Sequence, residues 1–145
     1  MKMYKGIDDA VALAAKAHKG QKDYDGNPVI LHPLAVGLAG ENENEQIVGF
    51  LHDVVEDTSY TFNDLLDEGF SPEVVDALRL LTHERNISYE DYVRNICQSG
   101  NLTALHVKRN DLKHNIFRGK RSGIARLVEK HSKALEMVES ALEDF

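Results

Sequence analysis

The sequence has one cysteine, Cys97, in 145 residues. That excludes an internal disulfide and a thiolate-rich zinc site. No apolar run approaches the roughly 20 residues that a membrane-spanning helix needs. The N-terminal stretch MKMYKGIDDAVALAAKAHKG has no uninterrupted apolar segment of signal-peptide type, because Asp8, Asp9 and Lys16 break it up. Positive charge is scarce: 17 Lys and Arg stand against 24 Asp and Glu, a net charge of −7. Such a balance argues against a general nucleic-acid binder or a membrane-surface protein. The expectation is a cytoplasmic protein with neither nucleic acid nor membrane as partner. Strand-like alternation, internal repeats, low-complexity segments and long linkers are absent too.

Hydrophobic residues make up 42% of the chain and charged residues 28%, which suits one soluble domain over residues 1–145 with its own core. The periodicity predicts helices throughout. Ile7 to Lys19 carries apolar residues at helical spacing. Gln21 to Pro28 is a polar loop with turn chemistry at Asp25-Gly26-Asn27. Pro33 suits the first turn of a helix running to about Ala39. Glu45 to Asp57 is the next helix, followed by a short one at Thr61 to Glu68, where Thr61 and Asp64 resemble a capping box. Ser71-Pro72-Glu73 is a strong start signal for a helix to about Thr82. Ser88 to Gln98, Leu102 to about Asn115 and Ile124 to Leu142 complete the set. The fold class expected is all-α, a compact bundle of about seven or eight helices.

The stretch GFLHDVVEDT, Gly49 to Thr58, holds a histidine and three carboxylates within six residues. On a helical wheel Ile47, Val48, Phe50, Leu51, Val54 and Val55 share one arc; His52, Asp53, Glu56 and Asp57 share the other. An amphipathic helix with its polar face in water accounts for that pattern. The composition points elsewhere, because like charges at this spacing repel and no cation lies between them. A divalent metal or a lysine from another element would compensate. Imidazole with carboxylate favours manganese, iron or zinc over calcium. His32, before Pro33, and Asp111 would extend His52 and Asp53 to a two-histidine, two-aspartate set with room for water and substrate. Asp111 is the one acid in a segment with six basic residues, Lys108 to Arg121, which is either a solvated face or a seat for an anionic small molecule.

AHKGQ (Ala17 to Gln21), ILHP (Ile30 to Pro33), FLHDVVEDT (Phe50 to Thr58) and VKRNDLKHN (Val107 to Asn115) occur in that order. Together they resemble the hydrolase domain of the RelA/SpoT family, an HD-domain metal phosphohydrolase. The resemblance covers roughly Ile7 to Asn115 and looks closest to the small single-domain hydrolases of that family. It implies that His32, His52, Asp53 and Asp111 bind the metal, usually Mn²⁺ (another divalent transition metal is an alternative). It also implies that Glu56 and Asp57 position or deprotonate the attacking water, and that Asn115 contacts the nucleoside. The implied reaction removes pyrophosphate from the 3′ position of (p)ppGpp.

The family typically carries an Arg-Lys pair in the loop after GQ. Here the loop reads Lys22-Asp23-Tyr24-Asp25, so Tyr24 offers an aromatic face and Asp23 would repel a nearby phosphate. Lys22, Tyr24, Lys108, Asn115 and Arg118 are the candidate substrate-binding residues. The expected activity is a metal-dependent nucleotide phosphohydrolase of (p)ppGpp 3′-pyrophosphohydrolase type, with a small nucleotide as partner and oligomerisation left open. Alternatives are hydrolysis of another phosphorylated nucleotide, or a non-catalytic nucleotide-sensing module. His18 reads as a packed histidine. His83, His106, His114 and His131 read as structural or surface residues, with His114 a possible exception beside Asn115. Cys97 reads as buried packing.

Overall fold

The computed structural model describes residues 3–145. Nine helical segments follow one another: α1 (Ile7–Ala17), α2 (Leu31–Leu38), α3 (Glu43–Leu51), α4 (Val54–Asp57), α5 (Phe62–Glu68), α6 (Pro72–Leu81), α7 (Tyr89–Gln98), α8 (Leu102–Ser122) and α9 (Ala125–Leu142). α4 is a single turn, so eight longer helices make the bundle. Among the described residues the only β feature is an isolated antiparallel bridge between Lys22 and Pro28.

Local chemistry sets most helix ends. The Ser71 side chain accepts from the Val74 amide ahead of Pro72, and the Ser88 side chain accepts from the Asp91 amide. Thr61 and Asp64 close a full capping box. α8 ends at Gly123, whose φ of 71° lies in the left-handed region that favours glycine. The chain then reverses, and α9 packs along α8.

α3 lies at the centre, packed against α1, α2, α6 and α8. Ile47, Val48, Gly49, Phe50 and Leu51 are all buried, so this helix has apolar neighbours on every side. Its crossing with α2 is very close. A Cβ added at Gly49 would lie 2.7 Å from the Gly37 Cα, and one at Gly37 would strike the Phe50 ring. Two glycines thus let the α2 and α3 backbones touch, which brings His32 and His52 together.

The expected single helix from Glu45 to Asp57 is corrected here. α3 stops at Leu51, His52 and Asp53 form a turn, and α4 begins at Val54. The His52 ring explains the break. Its Nδ1–H donates to the Gly49 carbonyl at 2.6 Å, capping an oxygen that the ended helix leaves without a partner. The α8 expectation is corrected as well: the helix continues past Asn115 to Ser122.

Candidate active site

Four side chains from three separate stretches of sequence converge at this turn. His32 Nε2 lies 2.8 Å and His52 Nε2 3.2 Å from Asp111 Oδ1. Asp53 Oδ2 lies 3.3 Å from His52 Nε2 and 3.9 Å from His32 Nε2. His32, His52 and Asp111 are buried. A solvated polar face is therefore the wrong description of His52.

The imidazole orientations follow from their outer nitrogens. His52 spends its Nδ1–H on Gly49, so Nε2 is the nitrogen that faces the cluster. His32 Nδ1 lies 2.7 Å from His114 Nδ1, with the rings stacked at 4.9 Å. Burial and the nearby His32, Arg118 and Arg121 push His114 down to about 4. A neutral His114 accepts the His32 proton, and His32 Nε2 then also faces inward.

The electrostatics call for a cation. Burial works against a charged His52, yet the Asp53 and Asp111 carboxylates raise it to about 9. Burial likewise opposes ionisation of Asp111, but the Lys108 ammonium and the two imidazoles hold it well below the usual carboxylate range. Ligands about 2.1 Å from a divalent ion lie roughly 3.0–3.5 Å apart, close to the separations seen here. Two imidazoles and two carboxylates also suit a transition-metal ion. His32, His52 and Asp53 offer ligand atoms within 4.8 Å of one another, a group that could hold a metal ion, and Asp111 Oδ1 lies against both imidazoles.

These side chains line one end of a cavity of about 270 Å³, which also takes in Glu56, Asn115 and Arg118. Glu56 Oε1 accepts the His83 amide at 2.7 Å. Asp57 lies beside it, with a carboxylate oxygen within 4.8 Å of oxygens on Asp53 and Glu56. Burial, then the Asp53 and Glu56 charges, push Asp57 up to about 6. Asn115 donates to Asp111 Oδ1 at 3.2 Å and accepts from Arg118.

Other sequence-derived candidates sit differently. Lys108 reaches the cavity wall, but its ammonium is committed to Asp111 Oδ2 at 3.0 Å and lies 4.8 Å over the Tyr92 ring. Lys22 is exposed and does not line the cavity, because the loop closes on itself through the Lys22–Pro28 bridge. Tyr24 is half exposed, with the Arg118 guanidinium 5.8 Å over its ring. Asp23 is not poised to repel a substrate phosphate. Its Oδ1 caps the Asp25 and Asn27 amides, and its Oδ2 lies 3.8 Å from Arg118.

The cavity also has a wall built from α7 and α9. Tyr89 and Tyr92 of α7 and Lys130 and His131 of α9 line it, as does His83. The Lys130 ammonium lies 4.2 Å over the Tyr89 ring. Burial pushes His131 down to about 4, with neighbouring lysines and Arg118 adding to the effect and Asp111 opposing it. No spacing along the chain marks Lys130 and His131, since the α8–α9 reversal is what carries them to this cavity. His18, as expected, is buried; its Nδ1 pairs with Gln21 Oε1 at 3.0 Å.

No family model matches the chain. A putative chloroplastic GTP diphosphokinase of Arabidopsis thaliana is 32% identical over 111 residues, which is 74% of this chain and 12% of that protein. A guanosine-3′,5′-bis(diphosphate) 3′-pyrophosphohydrolase of Haemophilus influenzae is 41% identical over 75 residues, 48% of this chain and 11% of that protein. The chain thus spans about an eighth or less of these curated relatives. The fold matches the solved structure of a metazoan ortholog of SpoT, described as hydrolysing ppGpp, with a TM-score of 0.66 and 20% identity over 95% of this chain and 94% of that one.

Proposed function

We propose that this chain, a relative of the RelA/SpoT proteins in sequence and fold, is a metal-dependent nucleotide phosphohydrolase acting as a guanosine 3′,5′-bis(diphosphate) 3′-pyrophosphohydrolase. The observation that carries the reading is the convergence of His32, His52, Asp53 and Asp111 at one end of a cavity whose other walls are cationic and aromatic. These four side chains would hold the metal, with Mn²⁺ the favoured ion. Once bound, such an ion lowers the pKa of a coordinated water and offsets charge on phosphoryl oxygens.

The protein's own groups supply the rest. Glu56, fixed by the His83 amide, orients the attacking water. Asp57, raised to about 6 by burial and by Asp53 and Glu56, is tuned to take a proton near neutral pH. Lys130 offsets the substrate's remaining phosphates, Asn115 contacts the nucleoside, and Arg118 lines the same cavity. Lys108 keeps Asp111 ionised and turned toward the histidines rather than meeting substrate itself. Residues 1–145 act as a single hydrolase domain, placed in the cytoplasm.

A second reading keeps the chemistry and changes the nucleotide. It is favoured by the loop at Lys22–Asp25, where Asp23 is paired with Arg118. A nucleotide panel with Mn²⁺ separates the two. The first reading expects pyrophosphate release from ppGpp, lost in Asp53→Ala and Glu56→Ala. Cleavage of another nucleotide with ppGpp untouched favours the second. Binding without turnover of any panel member would leave a sensing module.

A further inference from the structure

We infer that Arg118, braced by Tyr24 and Asp23, is the stacking platform for the base of the nucleotide, and not an anchor for its phosphates. The inference rests on the nucleotide reading above and sharpens which end of the substrate this corner of the cavity takes.

Arg118 lines the cavity while Tyr24 does not. The guanidinium lies 5.8 Å over the Tyr24 ring. Arg118 therefore joins the Tyr24 ring to the cavity. Three contacts fix its plane. Nη2 donates to Asn115 Oδ1 at 2.5 Å, Nη1 lies 3.8 Å from Asp23 Oδ2, and the Tyr24 ring limits rotation. Asp23 is itself immobilised by the amides of Asp25 and Asn27. The loop is clipped to α8 again where Ser122 Oγ donates to Asp25 Oδ2.

Charge then decides what the platform takes. Asp23 already offsets the Arg118 charge, which weakens its pull on a phosphate. Lys130 has no such carboxylate pairing and lies over Tyr89, on the α7–α9 side of the cavity. A flat, delocalised, weakly hydrated cation backed by an aromatic ring suits a planar heteroaromatic base. Arg118 Nε is buried and makes no hydrogen bond within the protein, which leaves an in-plane donor for a group beside the stacked base, such as the ribose. The chain Arg118–Asn115–Asp111 links this platform to the metal end.

The test uses the two expected products as probes, GDP carrying the base and inorganic pyrophosphate lacking it. Each is titrated calorimetrically into the metal-loaded full chain. Arg118→Gln and Arg118→Lys are both expected to weaken GDP binding by about tenfold, the scale of one lost stacking contact. Pyrophosphate and Mn²⁺ affinities should stay unchanged, and Tyr24→Ala should weaken GDP by a smaller factor. The lysine variant is decisive, because it keeps the charge and loses the plane. Restored GDP affinity in Arg118→Lys, an equal loss for pyrophosphate, or a wild type that binds no GDP would each overturn the inference. A wild type that binds GDP through Arg118 but releases no pyrophosphate from ppGpp would sink the hydrolase reading and leave the platform standing.

Discussion

The His-Asp end of the cavity and its aromatic, cationic wall are built in contrasting ways. At the His-Asp end, His32, His52 and Asp111 are buried and their hydrogen bonds are satisfied by one another or by a close neighbour such as Gly49 or His114. At the wall, Tyr89 Oη, Arg118 Nε and His131 Nδ1 are buried without a hydrogen-bond partner in the protein, and Lys130 is exposed. The first region is buried and internally hydrogen-bonded. The second holds unused donors and aromatic faces, as a surface that waits for a ligand does. Under the proposed function, catalytic geometry would be set by a preorganised centre, and substrate choice left to a wall that can differ without disturbing it.

Perturbing the His-Asp end should have the largest effects. His52→Ala or Asp53→Ala is expected to cut turnover by about 10³-fold or more, the scale of several kcal/mol of charge stabilisation. A steady-state assay with saturating metal checks this. A smaller loss is expected one layer out. His114→Ala removes the acceptor that orients His32 and should weaken metal affinity by about 10–100-fold. Phe117→Ala, on the outer side of the same ring stack, should leave metal affinity alone; a titration on both variants separates orientation from mere packing.

The glycine crossing comes next. Gly49→Ala places a Cβ 2.7 Å from the Gly37 backbone and should cost about 1–3 kcal/mol of stability by forcing α2 and α3 apart. Denaturant unfolding measures it, and metal affinity should fall in parallel because the same crossing pairs His32 with His52.

The smallest effect is on pH dependence. Asp57 titrates near 6 in the folded chain against an ordinary 3.8, chiefly through burial and then Asp53 and Glu56. The folded state therefore binds the extra proton between those values, and its stability contribution is lost as pH rises through about 6. Asp57→Asn should melt higher than wild type above that pH, and the two should converge below an ordinary carboxylate pKa. Melting curves without metal across this range check the sign. Lower turnover in the same variant would mark Asp57 as a residue whose function costs stability.

The contrast between the two regions also explains what the sequence made legible. The helix set was readable because caps announce themselves locally: Ser71-Pro72, Ser88 and the Thr61–Asp64 box all act as expected. The fold class follows from the same periodicity, and the solved structure of similar fold agrees. His32, His52, Asp53 and Asp111 sit in compact motifs and do converge in space. The turn at His52-Asp53 was not readable, because a side chain competing for the Gly49 carbonyl leaves no trace in apolar spacing. Nor was the Lys130–Tyr89 wall, since ordinary surface lysines and core tyrosines share its spacing. Lys108 sits differently from what its sequence neighbourhood suggests. Within a basic segment it looked available to phosphate, whereas burial beside Asp111 had already assigned its charge.

The most direct measurement of the central claim is the stoichiometry of Mn²⁺ binding, followed by paramagnetic resonance, for wild type and for His32→Ala, His52→Ala, Asp53→Ala and Asp111→Ala. The account predicts one tight site per chain, lost or severely weakened in all four variants although the residues come from three separate stretches of sequence. A wild type without a tight site, or any of the four variants that binds Mn²⁺ as wild type does, would contradict it.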